Sequence, residues 1–145
     1  MPHSAHTAKI NAPLAFVWEQ LINKIYHPDR FLIGVTDVEI LEDDAANHRV
    51  IRKMKLNTGK LEITTIEEIT WDDATYFVDF KILEHPSHTG NVINQIEQRE
   101  DGLYLTYEMK WDFKGEGADP MAGMIITKAV ENSIKVIEEA DAAAK

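Results

Sequence analysis

The spacing of apolar residues changes twice along the chain. Ser4 to Ile10 reads as a short strand, and Asn11-Ala12-Pro13 then starts a helix, with Pro13 where a missing N–H costs nothing. Leu14, Val17, Trp18, Leu21, Ile22 and Ile25 form an apolar stripe at helical spacing, which His27-Pro28 ends. Phe31 to Gly34 is a short apolar connection that needs something to cover it. From Val35 the period becomes two. Strands carrying Val38 and Ile40, then Val50, Met54 and Leu56, then Leu61, Ile63, Ile69 and Trp71 follow in turn. Tyr76 to Ile82, Val92 to Ile96 and Leu103 to Phe113 complete the series, separated by turn residues such as Asp72-Asp73 and Asp101-Gly102. Helical spacing returns after Gly115 and Gly117, where Asp119-Pro120 caps a last helix striped by Ile126, Val130, Ile134 and Ile137. Run to Ala142, that helix measures roughly 35 Å at 1.5 Å per residue.

This order predicts one α+β domain over residues 1–145: a curved antiparallel sheet wrapped around a long C-terminal helix. Backbone alone cannot fill the space between such layers, so a ligand cavity is expected there. Two-residue turns at Thr58-Gly59, Asp72-Asp73 and Asp101-Gly102, with a three-residue loop at Pro86 to His88, set an expected register. Each pairing then places apolar face on apolar face, which a one-residue slip would destroy. In that register Met54, Ile63, Ile82, Val92 and Trp111 form one row across the sheet. Arg52, Thr65, Phe80, Asn94 and Met109 form the next, then Val50, Glu67, Val78, Ile96 and Tyr107, then His48, Ile69, Tyr76, Gln98 and Leu105. Arg52 and Glu67 become diagonal neighbours on the apolar face. There they either pair, or bind a ligand group of opposite charge, or are separated by a bulge near Ile66 that turns Glu67 outward.

Charge and composition narrow the partners. The chain carries 15 basic and 25 acidic residues, a formal net charge of −10, which disfavours nucleic acid and anionic membrane surfaces. It has no cysteine, so disulfides, thiolate nucleophiles and cysteine-ligated metals are excluded. No apolar run reaches the ~18 residues of a membrane span and no signal-peptide pattern opens the chain, so a cytoplasmic protein is expected, as monomer or homodimer. Six histidines include the close pair His85 and His88, but no carboxylate stands at ligand spacing, so solvent-facing histidines and no metal or cofactor are expected. Glu42-Asp43-Asp44 reads as a solvated turn, and Trp18, Trp71 and Trp111 as packing residues.

Ile10-Asn11-Ala12-Pro13 with Val17-Trp18 resembles the opening of the START-like, birch-pollen-allergen (SRPBCC) superfamily, and the order of elements resembles its helix-grip fold throughout. Compact length and the Trp111 to Gly115 lead into the last helix make the chain most like the AtaL-like group within it. The resemblance implies a hydrophobic cavity between sheet and final helix. It implies no single activity, because the superfamily holds lipid carriers, hormone receptors, aromatase/cyclases and co-chaperones. The glycine-rich loop of the plant allergens is missing, and so is the His/His/carboxylate set of the iron-dependent oxygenases.

Three functions fit this reading. The first is binding or transport of a small hydrophobic molecule by Arg52, Met54, Thr65, Glu67, Phe80, Asn94, Ile96, Gln98, Tyr107 and Met109, with Met121, Met124 and Ile125 at the start of the last helix. The second is a polyketide cyclase/dehydratase-like enzyme in which Tyr107 and Glu67 act as acid and base and Arg52 steers an oxygen. The third is a protein-interaction module with a closed interior and an exposed apolar patch at Phe31 to Ile33.

Overall fold

A computed structural model describes residues 4–31, 34–57, 62–86, 88–113 and 125–144. Strand β1 (Ser4–Ile10) leads into helix α1 (Leu14–Tyr26) and a single 3-10 turn at Pro28–Arg30. Strands β2 (Val35–Asp44), β3 (Arg49–Asn57), β4 (Glu62–Asp72), β5 (Phe77–Glu84), β6 (His88–Arg99) and β7 (Gly102–Phe113) follow, and helix α2 (Ile125–Ala144) comes last. All seven strands form one antiparallel sheet in the order β1-β7-β6-β5-β4-β3-β2. The first strand therefore lies beside the last, and α1 carries the chain from one edge of the sheet to the other. The expected helix start at Asp119-Pro120 lies outside the described residues.

Alternation decides the two faces. On β7 Leu103, Leu105, Tyr107 and Met109 are buried, and on β3 Val50, Arg52 and Met54 are. Outward-facing Arg49 pairs instead with Glu68 at 2.7 Å and Glu42 at 2.9 Å. Both helices close the inner face. Val17, Leu21 and Ile25 of α1 and Val130 and Ile137 of α2 share one core with Val50, Ile69, Val78, Phe80, Ile96 and Leu105 of the sheet. Phe31 is 1% exposed, and its carbonyl accepts the Asn132 side-chain amide of α2. The apolar patch expected at Phe31 to Ile33 is thus buried at Phe31, while Leu32 and Ile33 lie outside the described residues. Among the described residues no helix is long and apolar enough to cross a membrane.

Every strand presents the expected face, yet each expected register is displaced by an even number of residues. Arg52 faces Glu67 rather than Thr65, and Ile69 faces Phe80 rather than Tyr76. Phe80 faces Val92 rather than Asn94, and Asn94 faces Tyr107 rather than Met109. Period-two patterning fixes only parity, whereas turn length fixes the partner. The β4–β5 turn takes residues 73–76, with Tyr76 at φ 56°, and the β6–β7 turn takes Glu100 and Asp101 rather than Asp101 and Gly102. The anticipated irregularity at Ile66 exists, but its extra residue is Leu83 of β5, between partners Ile82 and Glu84. Glu67 consequently keeps its inward direction. Leu83 and Leu41, the latter set in a similar shift on β2, are the exposed large apolar residues among those described.

Gly90 of β6 has φ 108°, and a Cβ there would land on the carbonyl oxygen of Lys110 in β7. Gly90→Ala is expected to lower stability by about 1–3 kcal/mol through forced backbone strain. Urea denaturation checks this; an unchanged midpoint would show that β6 and β7 separate here without cost.

Candidate functional site

The inner face carries a cluster of polar side chains that the surrounding core seals from water. Arg52, 2% exposed, projects from β3 and donates from Nη2 to Glu67 Oε1 of β4 at 2.9 Å. Its Nη1 donates to the carbonyls of Lys24 and Ile25 at 3.1 and 2.8 Å. Those carbonyls belong to the last turn of α1, whose acceptors have no partner within the helix and whose dipole favours a cation. One guanidinium thus ties a helix end to two strands.

Lys24 enters the same interior from α1. Its Nζ donates to Asn94 Oδ1 of β6 at 2.7 Å and to the Tyr107 hydroxyl of β7 at 3.0 Å. Tyr107 passes the chain on, donating to Ser133 Oγ of α2 at 2.7 Å. The Phe80 ring is close to both basic groups, its centroid 5.0 Å from Lys24 Nζ and 5.6 Å from the Arg52 guanidinium carbon. Burial brings the Lys24 ammonium down to about 7; the charge of Arg52 adds to this and that of Glu67 opposes it. Burial also pushes the Tyr107 hydroxyl above the usual tyrosine range, with the Ser133 hydrogen bond acting the other way. Tyr107 therefore holds its proton at any physiological pH.

Donors exceed acceptors in this cluster. Arg52 Nε and Asn94 Nδ2 are buried with no hydrogen-bond partner. A lone buried donor is expensive, and this cluster holds two of them in one largely apolar interior. Glu67, the expected base, is engaged by Arg52, and Tyr107, the expected acid, by Ser133.

The remaining expected site residues divide. Met54, Thr65, Phe80, Ile96 and Met109 are buried on the same face, with Thr65 Oγ1 donating to the Glu84 carbonyl at 3.1 Å. Gln98 shares their parity but is exposed, because β6 reaches the end of the sheet there. Met121 and Met124 lie outside the described residues, and Ile125 is the first residue of α2. Lys24 and Ser133 were not anticipated. Their positions carried the signal: Lys24 follows Val17 by seven and Leu21 by three, so it stands in the middle of the apolar stripe, and Ser133 lies three residues after Val130. His88 was expected at the surface and is instead 0% exposed, packed 4.8 Å from the Trp111 ring. It shares the even-numbered, inward parity of Asn94 and Ile96. Among the described residues no three histidine or acidic side chains gather as a metal site.

Arg52→Met is expected to cost about 3–5 kcal/mol, since it strands Glu67 and two helix carbonyls in the core. Glu67→Gln keeps an acceptor opposite the guanidinium and is expected to cost less; urea denaturation of both variants giving the reverse order would detach Arg52 from the hold on α1. Lys24 predicts a pH dependence. Its folded value of about 7 lies below the unfolded one, so the unfolded chain binds more protons between them. The Lys24 contribution to stability therefore rises from about pH 7 toward pH 10 and is at its lowest, and constant, below pH 7. Lys24→Met is expected to flatten that slope in denaturation curves taken across this range, and an unchanged slope would refute the assignment.

The fold recurs among solved structures. A START superfamily protein from Mycobacterium smegmatis superposes with a TM-score of 0.77 at 12% identity, each chain covered completely. Ara h 8.0201 gives 0.73 at 13% identity over 97% of both chains. The Zhui aromatase/cyclase from Streptomyces sp. R1128 gives 0.64 at 21% identity, over 98% of this chain and 87% of that one. Identities this low establish the shared helix-grip fold alone. No curated protein sequence matches the chain. The family model described as acetylaranotin biosynthesis cluster protein L (AtaL) matches residues 5–143, and the chain belongs to the AtaL family, with its structural neighbours in the START/Bet v 1 (SRPBCC) superfamily.

Proposed function

We propose that this protein binds a small, largely apolar molecule between the inner face of its sheet and α2, oriented by an acceptor oxygen. The observation that supports this reading is that two of the three buried donors without acceptors among the described residues, Arg52 Nε and Asn94 Nδ2, belong to this cluster, the third being Trp111 Nε1 beside His88. An apolar site with a few placed polar groups is the usual design for small-molecule recognition. In this reading Met54, Phe80, Ile96 and Met109 hold the apolar body, and Arg52 and Asn94 meet its oxygen. The recurrence of the fold in the Ara h and START superfamily structures adds the architectural precedent of a sheet closed by one long helix.

Native mass spectrometry followed by denaturing extraction is the direct test, and a co-purifying apolar molecule with a carbonyl, carboxyl or hydroxyl oxygen is the expected result. A thermal-shift series with octanoate, 2-octanone and 1-octanol supplies defined probes. Asn94→Leu is expected to weaken the best of these by about tenfold, the value of one lost hydrogen bond. An empty protein that none of the three stabilises would overturn the proposal in favour of a protein-interaction role.

A further inference from the structure

Lys24 is the one buried amine among the described residues, and its surroundings are those of a nucleophile. A neutral amine has two N–H donors and one lone pair; Asn94 Oδ1 and the Tyr107 hydroxyl supply two acceptors. A third N–H, present only on the ammonium, finds no further hydrogen-bond acceptor among the described contacts. The faces of Tyr107 and Phe80, at 4.1 and 5.0 Å, favour the cation, and the nearby Arg52 disfavours it. Asn94 has a second part in this. Its Oδ1 holds Nζ, while Nδ2 on the same amide stands buried and unpaired. An oxygen bound by Nδ2 is thereby brought close to the amine.

We infer that Lys24 forms a reversible imine with the carbonyl carbon of an apolar aldehyde or ketone whose oxygen is received by Asn94 Nδ2. This rests on the binding reading above and specifies its ligand class. The Nζ lone pair forms the N–C bond as the C=O π pair moves onto oxygen. One proton passes from nitrogen to that oxygen, relayed by the Tyr107 hydroxyl without net ionisation, leaving a carbinolamine. The C–O bond then breaks, water leaves with the second amine proton, and C=N remains. Amine and carbonyl become imine and water, with no redox change. Arg52, Glu67 and Tyr107 are the charged or titratable groups facing Nζ, and α2 contributes the uncharged Ser133. With the folded value about 7, a large share of Lys24 is free amine at neutral pH, against roughly one part in a thousand or less for an ordinary lysine.

Incubation of the full chain with hexanal and cyanoborohydride at pH 7, followed by intact-mass analysis and peptide mapping, tests the inference. A single hexyl group on Lys24, formed at least tenfold faster than on any surface lysine, is expected. Lys24→Arg keeps the cation and is expected to abolish this adduct, while Tyr107→Phe slows it. Adducts spread evenly over surface lysines, or none at Lys24, would overturn the imine even if Lys24→Arg fails to fold, because mapping is done on the unaltered protein. The two readings fail separately. Stabilisation by 1-octanol without trapping at Lys24 leaves the binding site and removes the imine, whereas absence of both removes the two together.

Discussion

Desolvation of the Arg52 guanidinium is the constraint around which this fold is organised. A buried cation has to be surrounded by acceptors, and these come from Glu67 on the neighbouring strand and from the last turn of α1. Satisfying it fixes where α1 ends over the sheet. That placement in turn sends Lys24 toward Asn94 and Tyr107, and Tyr107 toward Ser133 on α2. A chain of polar contacts thus runs from β3 through α1 and β7 to the closing helix. The apolar core supplies most of the folding free energy, while this chain specifies the relative setting of the layers.

Charge within the cluster is unbalanced. Two basic side chains meet one carboxylate, and Tyr107 is held protonated by its burial. A protein selected only for stability has simpler solutions, since buried ion pairs are replaced by apolar residues of similar volume at little or no loss. Excess donors and a destabilised ammonium are the features expected where structure concedes something to binding or chemistry. The shared fold does not decide the matter, because a helix-grip scaffold supports many activities.

Sequence patterning conveyed the architecture well for a specific reason. Strand faces depend on parity, and Leu103, Leu105, Tyr107 and Met109 of β7 alternate without interruption. Segment order then leaves few ways to close one sheet with one long helix. Absolute register depends instead on the length of turns, and a four-residue turn at 73–76 is indistinguishable from a two-residue one by hydrophobic pattern. The same parity argument found Arg52, Glu67, Asn94 and Tyr107 on one face but carried Gln98 too far, because parity says nothing about where a sheet ends. Lys24 escaped since lysines in a helix ordinarily face water, and only its place within the stripe of Val17, Leu21 and Ile25 marked it as buried.

The pairing of β1 with β7 joins the first strand to the last, Ala8 lying opposite Leu105 and Ile10 opposite Leu103. Consecutive hairpins from β2 to β7 close through short local loops, but this edge requires the chain to span most of its own length first. During synthesis the N-terminal strand must wait, unpaired, until β7 leaves the ribosome. Until then Lys24 cannot meet Tyr107, which is carried by β7 itself. The Lys24–Tyr107–Ser133 part of the interior cluster is therefore completed only when the chain closes on itself.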